Sequence, residues 1–194
     1  MKSTETLPRG YAEIMKMDLQ KDLKTAILIN VMALVIMAGT IGIAVIFVPF
    51  SSVLEGATPV LLLKLAAALL GQLLYLVGHE AVHAVFMRLY CGAKVRFGLT
   101  GAYAYAGSDG YYSRRDYRII AMAPAVCWGI ALGVLSAAVP TGWFYVVWLI
   151  QAANLGGAAG DYYVTWKVSR MAPDILVQDS GVAMTVFGRT QEEH

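Results

Sequence analysis

Residues 73–84 read LLYLVGHEAVHA, and this stretch decides how the rest of the chain is interpreted, because it places the pattern HExxH inside an apolar segment. On a helix, residues four apart lie on one face, about 6 Å apart along the axis. The imidazoles of His79 and His83 can therefore reach one zinc ion, with Glu80 beside them to deprotonate a bound water. The third histidine is the last residue, His194, so both internal histidines belong to this pattern.

The surroundings of the pattern also indicate function. His79, Glu80 and His83 lie in a segment built mainly from Leu, Ala and Val. Ionisable groups in a transmembrane segment cost several kcal/mol and by default mark a functional site. A polar cluster that only bridged helices would not need the spacing of HExxH. The segment is therefore expected to carry a metal site.

The composition is typical of a membrane protein. Hydrophobic residues make up 58% of the chain and charged residues 14%, against roughly 45–50% and about 25% in soluble domains. A helix crosses a bilayer in about 20 residues, and lipid forces the backbone to satisfy its own hydrogen bonds. The net charge of +2 does not suggest a nucleic-acid partner, so the expected partner is the lipid bilayer. We predict an all-α membrane protein with about four transmembrane helices, at Ala26–Phe50, Val60–Tyr90, Ile119–Val139 and Trp143–Val168.

The distribution of Lys and Arg predicts the orientation. These residues occur in the N-terminal stretch, in the loop after the second apolar segment and in the C-terminal part, whereas loops 51–59 and 140–142 have none. The positive-inside rule then places both termini and the central loop in the cytoplasm, for a multi-pass protein of the inner (cytoplasmic) membrane. Three regions follow: a cytoplasmic segment 1–25, a transmembrane catalytic domain 26–170 and a cytoplasmic tail 171–194. Within the first, Tyr11–Lys24 is expected to be an interfacial helix or a helical lead-in to the first span.

The central loop contains a predicted β-hairpin at about 94–107, on the cytoplasmic side between the second and third helices. Lys94–Leu99 alternates basic with apolar residues, and Ala102–Gly107 alternates small residues with tyrosines. Thr100-Gly101 between them suits a two-residue turn. Most tyrosines of this region are expected to form an aromatic belt at the headgroups, namely Tyr103, Tyr105, Tyr111, Tyr112 and Tyr117.

A catalytic zinc site needs a third protein ligand if water is to take the fourth position. No internal histidine remains, and the acidic residue that lies well inside a predicted span, apart from Glu80, is Asp161. Asn154 lies seven residues earlier, which on one helix is the same face two turns away. The intervening Gly and Ala residues allow a neighbouring helix to approach closely. Since the second and fourth spans both end in the cytoplasm, the histidines and Asp161 are expected at similar depth.

These residues carry a resemblance to known families. HExxH on one membrane helix, with Asn154 and Asp161 on a later one, resembles the site-2 protease clan of intramembrane zinc metalloproteases. In that clan the later motif usually reads Asn-x-x-Pro and then Asp-Gly, whereas this chain has Gly157 and Tyr162 at those positions. The likeness is closer to a zincin-type peptidase family of small bacterial membrane proteins. It rests on Leu7-Pro8, His79–Ala84, Ala123-Pro124, the stretch from Asn154 to Gly160-Asp161, and Asp179 before Gly181.

A mechanism follows as a hypothesis. Zinc held by His79, His83 and Asp161 would lower the pKa of a bound water towards about 7. Glu80 would take the proton and pass it to the leaving amine, and Asn154 would donate a hydrogen bond to the substrate or the developing oxyanion. The resemblance to the clan implies that the hairpin holds an unwound segment of a membrane protein or peptide substrate as an added strand.

Two other functions stay open. One is a non-proteolytic zinc-binding membrane protein, although a structural site with four protein ligands has no need of a base such as Glu80. The other is a transporter in which the cluster relays protons or metal, although inverted repeats are not visible in the sequence. The oligomeric state, including a homo-oligomer, is not fixed by the sequence.

Overall fold

The computed structural model describes residues 2–18, 21–99 and 104–190. The chain is mostly helical with a β-sheet. Its five helices in the described part are α1 Leu23–Phe47, α2 Thr58–Cys91, α3 Arg114–Ala138, α4 Thr141–Gly157 and α5 Ala159–Ser169, with a short 3-10 helix at Phe50–Leu54. The strands are β1 Tyr11–Asp18, β2 Val95–Leu99, β3 Ala104–Ser108, β4 Tyr112–Ser113, β5 Leu176–Asp179 and β6 Ala183–Arg189.

Three helices, α1, α2 and α3, are long and apolar enough to cross a membrane. They contain 25, 34 and 25 residues, and about 20 suffice for a bilayer. Large apolar side chains such as Leu34, Ile46 and Val77 are exposed on them. A soluble protein rarely exposes contiguous apolar surface of this kind, so these faces suit lipid.

The fourth predicted span is divided into two helices. Helix α4 ends at Gly157, Ala158 lies between the helices with φ −75° and ψ 7°, and α5 begins at Ala159. Glycine costs a helix interior about 1 kcal/mol relative to alanine, and the break falls in the glycine-rich stretch 156–160. The fourth span therefore stays a prediction, and Asp161 lies in the first turn of a new helix.

The description of the fold as all-α is wrong, because four strands form an antiparallel sheet in the order β1-β6-β5-β4. Tyr11–Asp18 is a strand of this sheet, not the interfacial helix or helical lead-in predicted for Tyr11–Lys24. The reason is a partner far along the chain: β1 pairs with β6, from Tyr11 opposite Arg189 to Asp18 opposite Ala183. Alternation places Met15 and Met17 on one face, and Met17 is buried.

Strands β2 and β3 form a separate antiparallel pair, from Val95 opposite Ser108 to Leu99 opposite Ala104. These strands lie where the hairpin was predicted, at about 94–107. The predicted turn residues Thr100-Gly101 and Tyr103 lie outside the described residues. The position of the pair at the cytoplasmic membrane surface stays a prediction.

The chain divides into two compact units, and the boundaries run through α1, α2, α3 and the start of α5. The first unit comprises residues 1–28, 80–123 and 160–194 and includes the strands. Its core is formed by buried side chains of sheet and helices, among them Met17, Met87, Tyr112, Tyr117, Ile120, Val168, Val177 and Val186.

The second unit comprises residues 29–79 and 124–159. Tyr75, Leu132, Val147 and Ile150 form its core. Lys64 is buried in this unit, where its ammonium group donates hydrogen bonds to the carbonyl oxygens of Val53 at 3.1 Å and Glu55 at 2.8 Å. These bonds tie the 3-10 helix and the residue after it to α2.

Candidate metal centre

The candidate centre begins on α2, a continuous helix that carries His79, Glu80 and His83. Asp161 comes from α5. One carboxylate oxygen of Asp161 lies 3.5 Å from Nε2 of His83. His79, His83 and Asp161 each offer one ligand atom, and these atoms all lie within 4.8 Å of one another. The structure thus brings together the three side chains that the sequence singled out as ligands.

This donor set fits zinc. Zinc binds imidazole nitrogen at about 2.0–2.1 Å and carboxylate oxygen at similar lengths, usually in tetrahedral geometry. Two ligand atoms on one tetrahedral ion are therefore separated by about 3.3 Å, close to the 3.5 Å between His83 and Asp161. Two imidazoles and one carboxylate form a set of three protein ligands, which is what a catalytic zinc site with an open fourth position requires.

Hydrogen bonds orient both imidazole rings. Nδ1 of His83 lies 3.0 Å from the carbonyl oxygen of Ile120. A carbonyl can only accept, so Nδ1 carries a proton, and Nε2, which faces Asp161, is the ring nitrogen that could bind a metal. Nδ1 of His79 lies 3.0 Å from the hydroxyl of Tyr75, one helical turn earlier. Both rings thus have a second contact of the kind that fixes metal-binding histidines.

The helix break at Ala158 determines where Asp161 lies. Because α5 begins at Ala159, the carboxylate belongs to the first turn, where the helix dipole favours negative charge. Ala158 and Ala159 are fully buried, so larger side chains do not fit there. The glycine at 156 permits a close approach, but to α1: a Cβ on Gly156 would lie 2.8 Å from the carbonyl oxygen of Ala33.

Glu80 contacts the two-stranded sheet. Its Oε2 accepts a hydrogen bond of 2.7 Å from the backbone N–H of Ala106 in β3. Glu80 is therefore held beside His79 on α2, with one oxygen engaged by a strand, and its assignment as general base stays a prediction.

Asn154 lies on α4, before the helix break. The prediction that it shares a helix face with Asp161 is wrong, because the helix ends between them. Asn154 is fully buried, and its Nδ2 lies 3.2 Å from the carbonyl oxygen of Ala125 and 3.5 Å from Oε1 of Gln151. To donate to a substrate, as predicted, this amide would have to leave those acceptors.

Asp179 and Tyr117 are close neighbours of the centre that sequence reasoning did not assign to it. The hydroxyl of Tyr117 donates to Oδ2 of Asp179 at 2.7 Å, and the N–H of Gly181 donates to Oδ1 at 2.8 Å. Burial raises the pKa of Asp179; both hydrogen bonds and the charge of nearby His83 oppose that rise, and Asp161 adds to it. Tyr117 was assigned to an aromatic belt, but it is only 2% exposed. The signal available in the sequence was the lone Asp179 before Gly181.

The comparison with protein families found one match. The family described as "Putative zincin peptidase" matches residues 72–176, more than half of the 194 residues. The matched range contains the HExxH motif, the β2–β3 pair and Asp161. A comparison with curated proteins gave no match, and neither did a comparison with solved structures.

Proposed function

This chain belongs to the zincin peptidase family, and on that premise we propose that it is a membrane-embedded zinc metalloprotease that hydrolyses peptide bonds of membrane-associated substrates. The observation that carries the proposal is the convergence of His79, His83 and Asp161. Two of these ligands lie on α2, a helix apolar and long enough to span a membrane. A metalloprotease with its ligands on such helices would be related to the site-2 protease clan.

His79, His83 and Asp161 would hold the metal, and the residues around them would complete the site. Bound zinc would supply a Lewis acid that polarises the scissile carbonyl and lowers the pKa of a water. Glu80 would accept the proton of that water and later deliver it to the leaving amine.

The substrate would bind along the β2–β3 pair. In an antiparallel pair the backbone groups of successive residues alternate between facing the partner strand and facing away. The N–H of Ala106 is bonded to Glu80, so Ala104, Ala106 and Ser108 direct their backbone groups away from β2. Ala106, Gly107 and Ser108 are buried on that side, so an extended peptide could add to the pair as a further strand at the more exposed β2. Such binding requires a substrate helix to unwind, which exposes the peptide bond to the metal site.

The expected cellular setting follows from charge. We propose that the protein is a multi-pass protein of the inner (cytoplasmic) membrane, with both termini and the strands on the cytoplasmic side. The ligands would then lie near the cytoplasmic end of α2, and substrates would be membrane proteins or peptides that reach this depth.

The test uses purified full-length protein in detergent, with metal analysis and a cleavage assay on a library of membrane-derived peptides. The wild type should bind about one zinc per chain. Glu80→Gln should retain zinc and lose cleavage, and Asp161→Ala should lose zinc. Undiminished cleavage by Glu80→Gln, or full zinc content in Asp161→Ala, would contradict the proposal. Zinc bound without any cleavage by the wild type would favour a non-proteolytic zinc protein, and zinc uptake into proteoliposomes would favour a transporter.

A further inference from the structure

The turn that follows β5 is anchored by Asp179. Its carboxylate receives two hydrogen bonds, from the hydroxyl of Tyr117 on α3 and from the backbone N–H of Gly181. Gly181 has a φ of +84°, a conformation that disfavours other residues. The carboxylate thus joins a buried helix side chain to the backbone of the turn at residues 179–182, which we call the Asp179 turn.

The Asp179 turn is in close contact with β3. A Cβ on Gly107 would overlap the backbone carbonyl of Ser180, and a Cβ on Gly181 would overlap the ring of Tyr105. Two glycines therefore permit this approach, one on each side of the contact. Backbone against backbone leaves little freedom, so the position of the turn determines the position of the strand.

Strand β3 in turn holds Glu80. The N–H of Ala106, one residue before Gly107, donates to Oε2 of Glu80 at 2.7 Å. A displacement of β3 at Gly107 would therefore move a backbone donor that this carboxylate accepts from. The sequence of contacts runs from Tyr117 through Asp179, the turn and β3 to Glu80, and all of these residues lie in the first compact unit.

We propose that Asp179 is a positioning residue: it fixes the Asp179 turn, the turn docks β3, and β3 holds the general base Glu80 in place. The role of Glu80 as base rests on the proposed function, and this inference deepens it by assigning Asp179. The competing assignment is a fourth metal ligand. Among the described residues, however, the group of potential ligands that lie within 4.8 Å of one another consists of His79, His83 and Asp161.

The two assignments predict different effects of Asp179→Asn. Asparagine keeps an oxygen for the N–H of Gly181, and its amide can donate to the hydroxyl of Tyr117, so both anchoring contacts can persist. A positioning role therefore predicts that Asp179→Asn behaves like the wild type while Asp179→Ala does not. A role that needs the negative charge, such as metal ligation or proton transfer, predicts that both substitutions are equally damaging.

The first readout is hydrogen exchange of individual β3 amides in detergent, which does not depend on activity. In the wild type, Ala106 should be protected by Glu80, and Tyr105 and Gly107 by β2. Asp179→Ala and Gly107→Ala should accelerate exchange at Ala106 and leave Tyr105 and Gly107 protected. The matched control is Gly133→Ala, since a Cβ there meets nothing within 4 Å. Unchanged protection of Ala106 in Asp179→Ala and Gly107→Ala would overturn the inference, as would equal effects of Asp179→Asn and Asp179→Ala.

The second readout is cleavage together with zinc content. Misplacement of a catalytic group by about 1 Å can cost on the order of 100-fold in rate, so we expect a loss of that size in Asp179→Ala and Gly107→Ala with zinc retained. Zinc loss in Asp179→Ala would instead identify Asp179 as a ligand and overturn the inference. If the wild type cleaves nothing, the proposed function fails, but the exchange measurements still decide whether Asp179 positions Glu80.

Discussion

Tyr75 offers a sharp test of the metal centre, because its hydroxyl contacts His79 without being a ligand itself. The hydroxyl lies 3.0 Å from Nδ1 of His79, and the ring is held independently by edge-to-face contact with Trp128 at a centroid distance of 5.8 Å. Tyr75→Phe should therefore remove the hydrogen bond and keep the packing. The substitution isolates the contact that orients one ligand.

The magnitude follows from the behaviour of such contacts in zinc proteins. Loss of a partner that orients a ligating histidine typically reduces metal affinity 10- to 100-fold, which corresponds to about 1.4–2.7 kcal/mol. We expect Tyr75→Phe to weaken zinc binding by a factor in this range, with about one zinc per chain still bound at saturation. The assay is competition with a chromophoric chelator in detergent at fixed pH.

Tyr145→Phe is the matched control. Tyr145 is also buried, and its hydroxyl donates to the carbonyl oxygen of Val48 at 2.6 Å, so the same atom is removed from a contact without a histidine. Zinc affinity should be unchanged in this variant. The reasoning is refuted if Tyr75→Phe binds zinc as tightly as the wild type, or if Tyr145→Phe weakens binding equally.

Three further predictions concern stability. Chelation should lower the melting temperature and zinc should restore it, because zinc at 100 times its Kd stabilises the folded state by about 2.7 kcal/mol; a zinc-dependent shift that persists in Asp161→Ala would contradict this. Lys64→Met should cost about 1–3 kcal/mol because it leaves partly buried carbonyls without the donor that Lys64 supplies. The measurement is denaturant unfolding beside Lys24→Met, which alters an exposed lysine and should have little effect. The raised pKa of Asp179 means that the folded state holds the proton to higher pH than the unfolded state, so this group destabilises the protein as pH rises above about 4. In zinc-free protein, the melting temperature of Asp179→Asn relative to wild type should therefore increase between pH 4 and pH 7, and a relative decrease over that interval would exclude this account.

The residues of the metal centre could be predicted because each left a local trace in the sequence. His79 and His83 are four residues apart, and helix geometry alone puts them on one face. Asp161 could be identified because an acidic residue is costly in an apolar segment and by default marks a functional site there. In both cases the information lies within a few neighbouring positions or in the composition of one segment.

The sheet could not be predicted in the same way. Strand β1 mixes apolar and charged residues in a pattern compatible with an amphipathic helix, and what makes it a strand is pairing with β6, more than 160 residues later. Strand preference depends strongly on such partners. The contacts of Asp179 are equally non-local, because they depend on Tyr117 and on the approach of β3 to a turn near the C-terminus.

The need of the partly buried Glu80 carboxylate for hydrogen-bond donors gives a physical reason for strands beside this helix. Within α2 the backbone N–H groups around Glu80 are already bonded along the helix, so they are not available to donate to its carboxylate. The edge of a strand has N–H groups that its partner does not use, and Ala106 supplies one of them to Glu80. A strand docked against α2 thus holds the carboxylate of Glu80, and the Asp179 turn links that strand to the C-terminal part of the chain.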